Sequence, residues 1–233
     1  MTRIIAGFAG SLTIEVPDAG TRPTSDRVRE AIFSALSSRG LLEGARVVDL
    51  YAGSGALGLE AASRGAKTVT LVESDARAAT TCRKNAALVI KNAATASGLT
   101  IDIAAVAVQS YLARIAAPRF NIAFLDPPYD LPDAELTRDL ALLSAVLEAD
   151  AVVVIERSSR SPEPSWPTGL ERDKLKKYGD TTVWIARTNR RKLAGPSVPT
   201  PIRVPAEHLV EGVTVDAETG PGEHPANLSE PTW

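Results

Sequence analysis

An acid, two prolines and a tyrosine end the apolar run at residues 124–130, FLDPPYD. Proline has no N–H donor and cannot continue a central strand, so the strand must stop here. The Asp126 carboxylate and the Pro127 carbonyl can each accept one N–H bond of an exocyclic base amine, and the rigid Pro127-Pro128 pair fixes that carbonyl. Tyr129 can stack on the base. These four residues are candidate catalytic residues that would hold an amine with its lone pair directed at a methyl group.

Three glycines follow a second apolar strand in the stretch VVDLYAGSGALGLEAA, at Gly53, Gly55 and Gly58. The pattern is informative because it follows a strand and opens a helix. Glycines make the tight turn and let the backbone approach a ligand closely. Glu73 ends the next strand, twenty residues after Gly53, where an acid can accept both ribose hydroxyls of an adenosine. The spacing predicts a binding site for an adenosine-containing cofactor.

Asp49 separates two classes of adenosine cofactor. A nicotinamide cofactor would place its pyrophosphate at the helix N-terminus that follows the glycines. Asp49 comes just before this loop, and a carboxylate there repels phosphates and attracts an ammonium, such as the amino group of S-adenosylmethionine. S-adenosylmethionine is therefore the predicted cofactor, and a nicotinamide dinucleotide is the alternative.

Alternating strands and helices begin at residue 46 and must position both candidate sites. Five apolar strands alternate with helices, a spacing that gives parallel strands with right-handed crossovers. Two further β segments, 170–178 and 181–187, are separated only by Gly179 and Asp180, so they form a hairpin. The pattern predicts an α/β fold of the Rossmann-like type, with a mostly parallel seven-stranded sheet that ends in an antiparallel hairpin.

Such a sheet would bring the two candidate sites together. Ligands of parallel sheets bind outside the carboxyl ends of the strands, near the point where the strand order reverses. The first and fourth strands are neighbours in sheets of this type. We therefore expect the loop after Asp49 to face the loop after Asp126.

The two ends of the chain depart from the alternating pattern. Residues 3–16 predict a small β-hairpin, and residues 25–38 predict a helix capped by Thr24 or Ser25. Residues 195–233 hold seven prolines and a net charge of −5, which predicts a disordered acidic tail. We predict three regions: a β extension with a helix at 1–40, the domain with both sites at 41–188, and the tail at 189–233.

Composition excludes several other kinds of site. The single cysteine, Cys82, rules out an intrachain disulfide and a cysteine-cluster zinc site. Both histidines, His208 and His224, lie in the predicted tail, so a histidine triad or histidine metal site in the domain is excluded. No apolar run reaches the ~18 residues of a membrane span, and the N-terminus lacks the features of a signal peptide. We predict a cytoplasmic protein with no metal and no membrane contact.

At this point the sequence resembles a known family. DLYAGSGALGLEA together with DPPY is similar to the class I S-adenosylmethionine-dependent methyltransferases, in their amino-methylating branch. The N-terminal RIIAG, with Arg22-Pro23-Thr24 and the stretch 27–30, RVRE, resembles the RsmD-type bacterial 16S ribosomal RNA guanine-N2 methyltransferases. The resemblance covers residues 2 to 187. It implies methylation of the exocyclic N2 amine of a guanine, in the small ribosomal subunit or its assembly intermediate.

The resemblance also implies roles for individual residues. It implies that the DPPY residues bind the target base. It implies that the backbone around Ala107 contacts the adenine of the cofactor. The residues implied to bind the cofactor lie at the strand ends and in the glycine loop: Asp49, Ala52, Gly53, Ser54, Gly55, Glu73, Ser74, Val106, Ala107, Val108 and Asp126. The segment before and within the first helix should contact the substrate, through Arg22, Thr24, Arg27 and Arg29 together with Tyr129.

Two other functions remain open from the sequence. An amino-methyltransferase acting on DNA, on another RNA or on protein glutamine would use the same catalytic parts. The DNA enzymes usually add a recognition domain for which residues 1–187 leave no room, and the glutamine enzymes usually carry NPPY. The other alternative is a non-catalytic nucleotide-binding module of ribosome assembly, which the intact DPPY disfavours. The expected protein is a monomer.

Overall fold

A computed structural model of the chain describes residues 1–17, 25–93, 98–117 and 119–189, which form one compact unit. Arg22, Thr24 and the predicted tail beyond residue 189 lie outside the described residues. None of the helices in these ranges is long and apolar enough to cross a membrane. The elements, in chain order, are β1 (Thr2–Arg3), β2 (Thr13–Ile14), α1 (Asp26–Ser37), β3 (Arg46–Leu50), α2 (Ala56–Ser63), β4 (Thr68–Val72), α3 (Ala76–Asn92), β5 (Thr100–Ala104), α4 (Val108–Leu112), β6 (Phe120–Leu125), α5 (Asp133–Ser144), β7 (Leu147–Ser158), β8 (Leu170–Tyr178) and β9 (Thr181–Thr188).

Seven of the strands form one sheet, in the order β5-β4-β3-β6-β7-β9-β8. The strands from β5 across to β7 are parallel, whereas β9 runs antiparallel to both β7 and β8. The predicted α/β fold with a terminal antiparallel hairpin is therefore confirmed. The strand order reverses between β3 and β6, and this is the switch point where sheets of this kind bind ligands.

Helices cover both faces of the sheet. α1, α2 and α3 pack on one face, where the rings of Phe33 and Phe124 lie 5.4 Å apart between centroids. α4 and α5 pack on the other face through side chains such as Leu112 and Leu140. β3 and β6 read as nearly continuous apolar runs because both of their faces are buried. Their carboxyl ends are thereby held in fixed positions.

The N-terminal extension is fastened to α2. The buried Glu60 carboxylate accepts backbone N–H bonds from Ile5 at 2.6 Å and from Ala6 at 3.1 Å. Gly7, at a φ of 84°, lies so close to Ser63 that any side chain would collide with its carbonyl. The predicted hairpin is confirmed as the short antiparallel pair β1 and β2. Its apolar residues Ile4 and Ile14 belong to the same core as α1 and α2.

Candidate active site

Four neighbouring parallel strands bring acidic side chains together at their carboxyl-terminal ends. Glu73 follows β4, Asp49 lies in β3, Asp126 follows β6 and Glu156 lies in β7. Going across the sheet from β4 to β7, the acids follow one another in the order Glu73, Asp49, Asp126 and Glu156. The loops after Asp49 and Asp126 are therefore on adjacent strands at the same edge, as predicted.

The glycine loop after β3 has the conformation that a close ligand approach needs. Gly53 and Gly55 have φ angles of 57° and 80°, which favour glycine. The space beside Gly53 is open, with no atom within 4 Å of the position a Cβ would take. Gly58 has a different reason to be glycine, because a Cβ there would lie 2.4 Å from Cδ2 of Leu71. It lets α2 pack closely on β4, while Gly53 faces the room for a ligand.

Glu73 is tied to the glycine loop. One carboxylate oxygen accepts the Gly53 N–H at 2.9 Å, and the other accepts the Asp75 N–H at 2.8 Å. Glu73 is half-buried at the end of β4. A carboxylate has about four acceptor positions, so these two bonds leave capacity for a ligand hydroxyl pair.

Asp49 is buried with half of its carboxylate satisfied. Oδ2 accepts the Gly58 N–H at 2.8 Å, whereas Oδ1 has no hydrogen-bond partner among the described residues. Burial, with the nearby charges of Asp126 and Glu73, raises the pKa of this carboxyl well above its ordinary value. A buried acceptor without a donor is costly, and a bound ammonium would supply that donor. The orphaned oxygen and the open space at Gly53 fit S-adenosylmethionine.

Two α3 side chains support the glycine loop from behind. Asn85 is fully buried and donates to the carbonyls of Ser54 at 2.8 Å and Glu15 at 2.9 Å. Cys82 donates to the Gly53 carbonyl at 3.2 Å. Burial, together with the charges of Asp49 and Glu73, raises the pKa of the Cys82 thiol to about 12. Cys82 is therefore a packed thiol and not a nucleophile.

Tyr51 supports the same loop from the other side. It has a φ of 65°, unusual for a residue with a side chain. Its hydroxyl donates to the buried Asp139 carboxylate of α5. Burial, and then the hydrogen bond to Asp139, raises the pKa of Tyr51 above its ordinary value. The hydroxyl therefore stays protonated and holds the strained start of the loop.

The DPPY residues form a turn at the end of β6. Asp126 is half-buried and Pro127 is buried, whereas Pro128 and Tyr129 are exposed. The Pro128 carbonyl accepts the Leu131 N–H at 3.0 Å and closes the turn. The Tyr129 ring is 49% exposed, although large aromatic rings are usually well buried. The turn thus presents an aromatic face toward the outside.

A cavity of about 350 Å³ lies beside this turn. Its walls come from the start of α1, the DPPY turn, the end of β7 and the β8–β9 turn. The lining residues are Ser25, Arg27, Val28, Tyr129, Glu156, Lys177, Tyr178, Gly179, Asp180 and Thr181. Its volume is of the size that holds a small organic ligand, such as a base.

The predicted substrate residues separate in the structure. Arg27 is exposed and lines the cavity together with Tyr129. The prediction for Arg29 is wrong, because its side chain is only 1% exposed. Arg29 donates at 2.7 Å to both the Arg3 carbonyl and the Asp26 carboxylate, and so fixes the hairpin to α1.

The remaining predicted cofactor residues lie in the loops that follow the carboxyl-terminal ends of the strands. Ala52 is buried and donates its N–H to the Val72 carbonyl at 3.0 Å. Ser74 is exposed in the loop after β4. The loop after β5 holds Val106 and Ala107, with Val108 as the first residue of α4.

Glu156 and the cavity that it lines were not predicted from the sequence. Glu156 carried the signal that marked the other three acids, since it follows the apolar run AVVVI at a strand end. The cavity had no such signal, because its walls come from four segments far apart in sequence. Within the described residues, no group of three or more acidic, histidine or cysteine side chains could hold a metal ion.

Comparison with known proteins decides the family. The family model described as "Conserved hypothetical protein 95" matches residues 2–187. The "Ribosomal RNA small subunit methyltransferase D" of Escherichia coli strain K12 is 36% identical over 176 residues, 74% of this chain and 84% of that protein. The chain belongs to the RsmD-type methyltransferase family.

Two further matches cover a larger share of the matched protein. The "Putative rRNA methyltransferase YlbH" of Bacillus subtilis is 31% identical, over 78% of this chain and 97% of that protein. The solved structure "Putative methyltransferase yhhF from Escherichia coli" superposes with a TM-score of 0.68 at 31% identity, covering 80% of this chain and 97% of that one. This RsmD-type chain therefore matches these two proteins over nearly their whole length.

Proposed function

We propose that this protein methylates the exocyclic N2 amine of a guanine in the 16S ribosomal RNA of the small ribosomal subunit. S-adenosylmethionine is the cofactor. The observation that carries the proposal is the register of β3 and β6, where Asp49 pairs with Phe124 and Leu50 with Leu125. This register puts the DPPY turn directly beside the glycine loop. The relatives named as small-subunit ribosomal RNA methyltransferases support the small-subunit RNA as the substrate.

Residues on β3 and β4 would hold the cofactor. Glu73 has acceptor capacity for the ribose hydroxyls, and the backbone at Gly53 allows close approach. Asp49 offers its unpaired Oδ1 to the ammonium group. The loop at 106–108 is the part that we assign to the adenine. When bound, S-adenosylmethionine supplies an electrophilic methyl group.

The DPPY turn would orient the base amine. A guanine N2 amine is a poor nucleophile because its lone pair is delocalised into the ring. The Asp126 carboxylate and the Pro127 carbonyl accept its two N–H bonds and direct the lone pair toward the cofactor side. Positioning of this kind supplies most of the acceleration. No strong base is required, since the amine proton becomes acidic as the new C–N bond forms.

The base must leave its stack to reach this turn. Tyr129, with its exposed ring, would stack on the flipped base. Arg27 and Lys177 are exposed cations on the cavity wall and can contact neighbouring phosphates. The protein would act as a monomer in the cytoplasm, on the small subunit or its assembly intermediate.

Methyl transfer to isolated subunits tests the proposal. Small subunits from a bacterial strain that lacks its own RsmD-type enzyme are incubated with the protein and labelled S-adenosylmethionine. Mass spectrometry of the digested 16S RNA should show N2-methylguanosine at one position. Label in another nucleoside, or none in subunits that a known RsmD enzyme can methylate, would contradict the proposal. Naked 16S RNA and DNA tested in parallel distinguish the alternative substrates.

A further inference from the structure

A second carboxylate lies next to the DPPY turn, on the wall of the cavity that Tyr129 also lines. This is Glu156 of β7, only 5% exposed. Glutamate is almost never so deeply buried unless it is paired, and Glu156 also contributes to the wall of the cavity. The DPPY residues account for the amine of the base, but not for how the rest of the base is recognised.

The strand register puts Glu156 beside Asp126. Leu125 of β6 pairs with Ile155 of β7, so Asp126 and Glu156 are the next residues on two adjacent strands. Neighbouring strands lie about 4.8 Å apart, so two side chains on adjacent strands can converge on neighbouring N–H groups of one base.

Glu156 also lies on the face of the sheet that forms the cavity. Side chains alternate between faces along a strand, so Glu156 shares its face with Val154. Val154, and Val183 as the cross-strand partner of Glu156, pack in the same core as Val28 of α1. Val28 lines the cavity, so Glu156 stands between the core and the cavity.

The chemistry of a buried carboxylate selects among the four bases. Guanine presents an N1–H donor directly beside its N2 amine, whereas adenine and cytosine present an acceptor nitrogen beside theirs. Uracil has an N–H between two carbonyls and no amine. A carboxylate is acceptor-only when ionised, so it pairs with the guanine edge and repels an acceptor nitrogen. A site built around such a bond can reject analogues that lack the donor by large factors.

We infer that Glu156 is the guanine-selecting residue of the target pocket, and that it accepts the N1–H of the flipped base beside the amine held by Asp126. The inference rests on the proposed function. The two acids then have separate roles. Asp126 orients the reacting N2 nitrogen, and Glu156 selects guanine over the other bases.

A change of base preference separates this role from a structural one. The substrates are small subunits reconstituted with 16S RNA that carries either guanine or 2,6-diaminopurine at the position the wild-type protein methylates. Diaminopurine keeps the N2 amine but has an acceptor at N1. The wild-type protein should favour guanine by about 100-fold or more in kcat/KM. In Glu156→Gln the amide can donate to the diaminopurine N1, so the guanine preference should fall at least about tenfold.

Matched controls accompany the variant. Glu171→Gln makes the same chemical change on β8 at an exposed residue outside the cavity lining, and it should keep the wild-type preference. S-adenosylmethionine affinity, measured by calorimetry, should be equal in all three proteins, because Glu156 is not among the cofactor residues.

Each outcome decides the inference. Equal methylation of guanine and diaminopurine by the wild-type protein overturns it and leaves the proposed function standing. An unchanged preference in a folded Glu156→Gln protein also overturns it. If that variant does not fold, the wild-type preference alone decides. Failure of the proposed function looks different, since the wild-type protein would then methylate neither substrate.

Discussion

The Glu73 carboxylate accepts the N–H of Gly53 at 2.9 Å and joins the end of β4 to the loop after β3. Its other oxygen accepts the Asp75 N–H at 2.8 Å, at the residue that caps α3. Both bonds run from backbone N–H groups to the carboxylate and fix the Glu73 side chain beside the glycine loop. The adenosine side of the site is therefore preorganised, which lowers the ordering cost of binding.

Replacing Glu73 should weaken cofactor binding strongly. Glu73→Ala removes two charge-assisted hydrogen bonds to the ribose, each of about 1.5–3 kcal/mol, and also releases Gly53. We expect S-adenosylmethionine affinity to fall at least about tenfold by calorimetry, with the fold retained. Glu171→Ala, on the exposed edge strand, is the control and should bind normally. Equal affinity in the two variants would remove Glu73 from the site.

Gly53 and Gly44 form a matched pair for testing the glycine loop. Both have positive φ, 57° and 69°, and both face open space. An alanine at either position should cost roughly 1–2 kcal/mol of stability because of the left-handed backbone. Only Gly53→Ala should also weaken cofactor binding, by placing a methyl group where the ligand approaches. Similar cofactor affinity in both variants would show that Gly53 does not face the cofactor.

The buried Asp49 should make stability depend on pH. Its folded-state pKa is raised mainly by burial, so the folded protein resists ionisation of this group more than the unfolded chain does. Its stability contribution is therefore present below the ordinary pKa, about 4, and is lost as the pH rises toward the folded value.

Asp49→Asn removes this titration and keeps an oxygen for the Gly58 N–H. We expect the variant to melt at least about 3 °C above the wild-type protein at pH 8, equivalent to roughly 1 kcal/mol in a domain of this size. The difference should shrink toward pH 5 in calorimetric scans. Cofactor affinity should fall, since the ammonium loses its charged partner. A difference in melting temperature between the two proteins that does not change with pH would contradict this role for Asp49.

Tyr129 should act through its ring and not through its hydroxyl. Tyr129→Ala removes a stacking surface of about 1–3 kcal/mol, so KM for the small subunit should rise and methyl transfer should slow. Tyr129→Phe keeps the ring and should stay within a few-fold of the wild-type rate. Steady-state kinetics on small subunits measure both. A Phe variant as impaired as the Ala variant would assign the function to the hydroxyl.

Local patterns predicted the sheet and the first three acids. The apolar runs that end in Asp49, Glu73 and Asp126 are continuous in sequence, and a parallel sheet brings such ends together. The hairpin of β8 and β9 was equally visible, because only Gly179 and Asp180 separate its strands.

Side chains whose neighbours come from distant segments could not be predicted in this way. Arg29 was predicted to contact the substrate, yet it bonds the Arg3 carbonyl 26 residues away. Asn85 of α3 holds Ser54 and Glu15 through contacts that no sequence spacing reveals. In each case a helix packs against the N-terminal segment, and these tertiary contacts, rather than the local sequence pattern, determine the environment of the side chain.

The most direct test of the proposed site measures Asp126→Ala in two assays on the same protein. Methyl transfer to small subunits should fall about 100-fold or more, because the reacting amine is no longer held in line. S-adenosylmethionine affinity should change by no more than a few-fold. Asp130→Ala, an exposed acid in the same turn, should be normal in both assays. Full methyl transfer by Asp126→Ala, or a loss of activity no greater than its loss of cofactor binding, would contradict the assignment and leave DPPY as a structural turn.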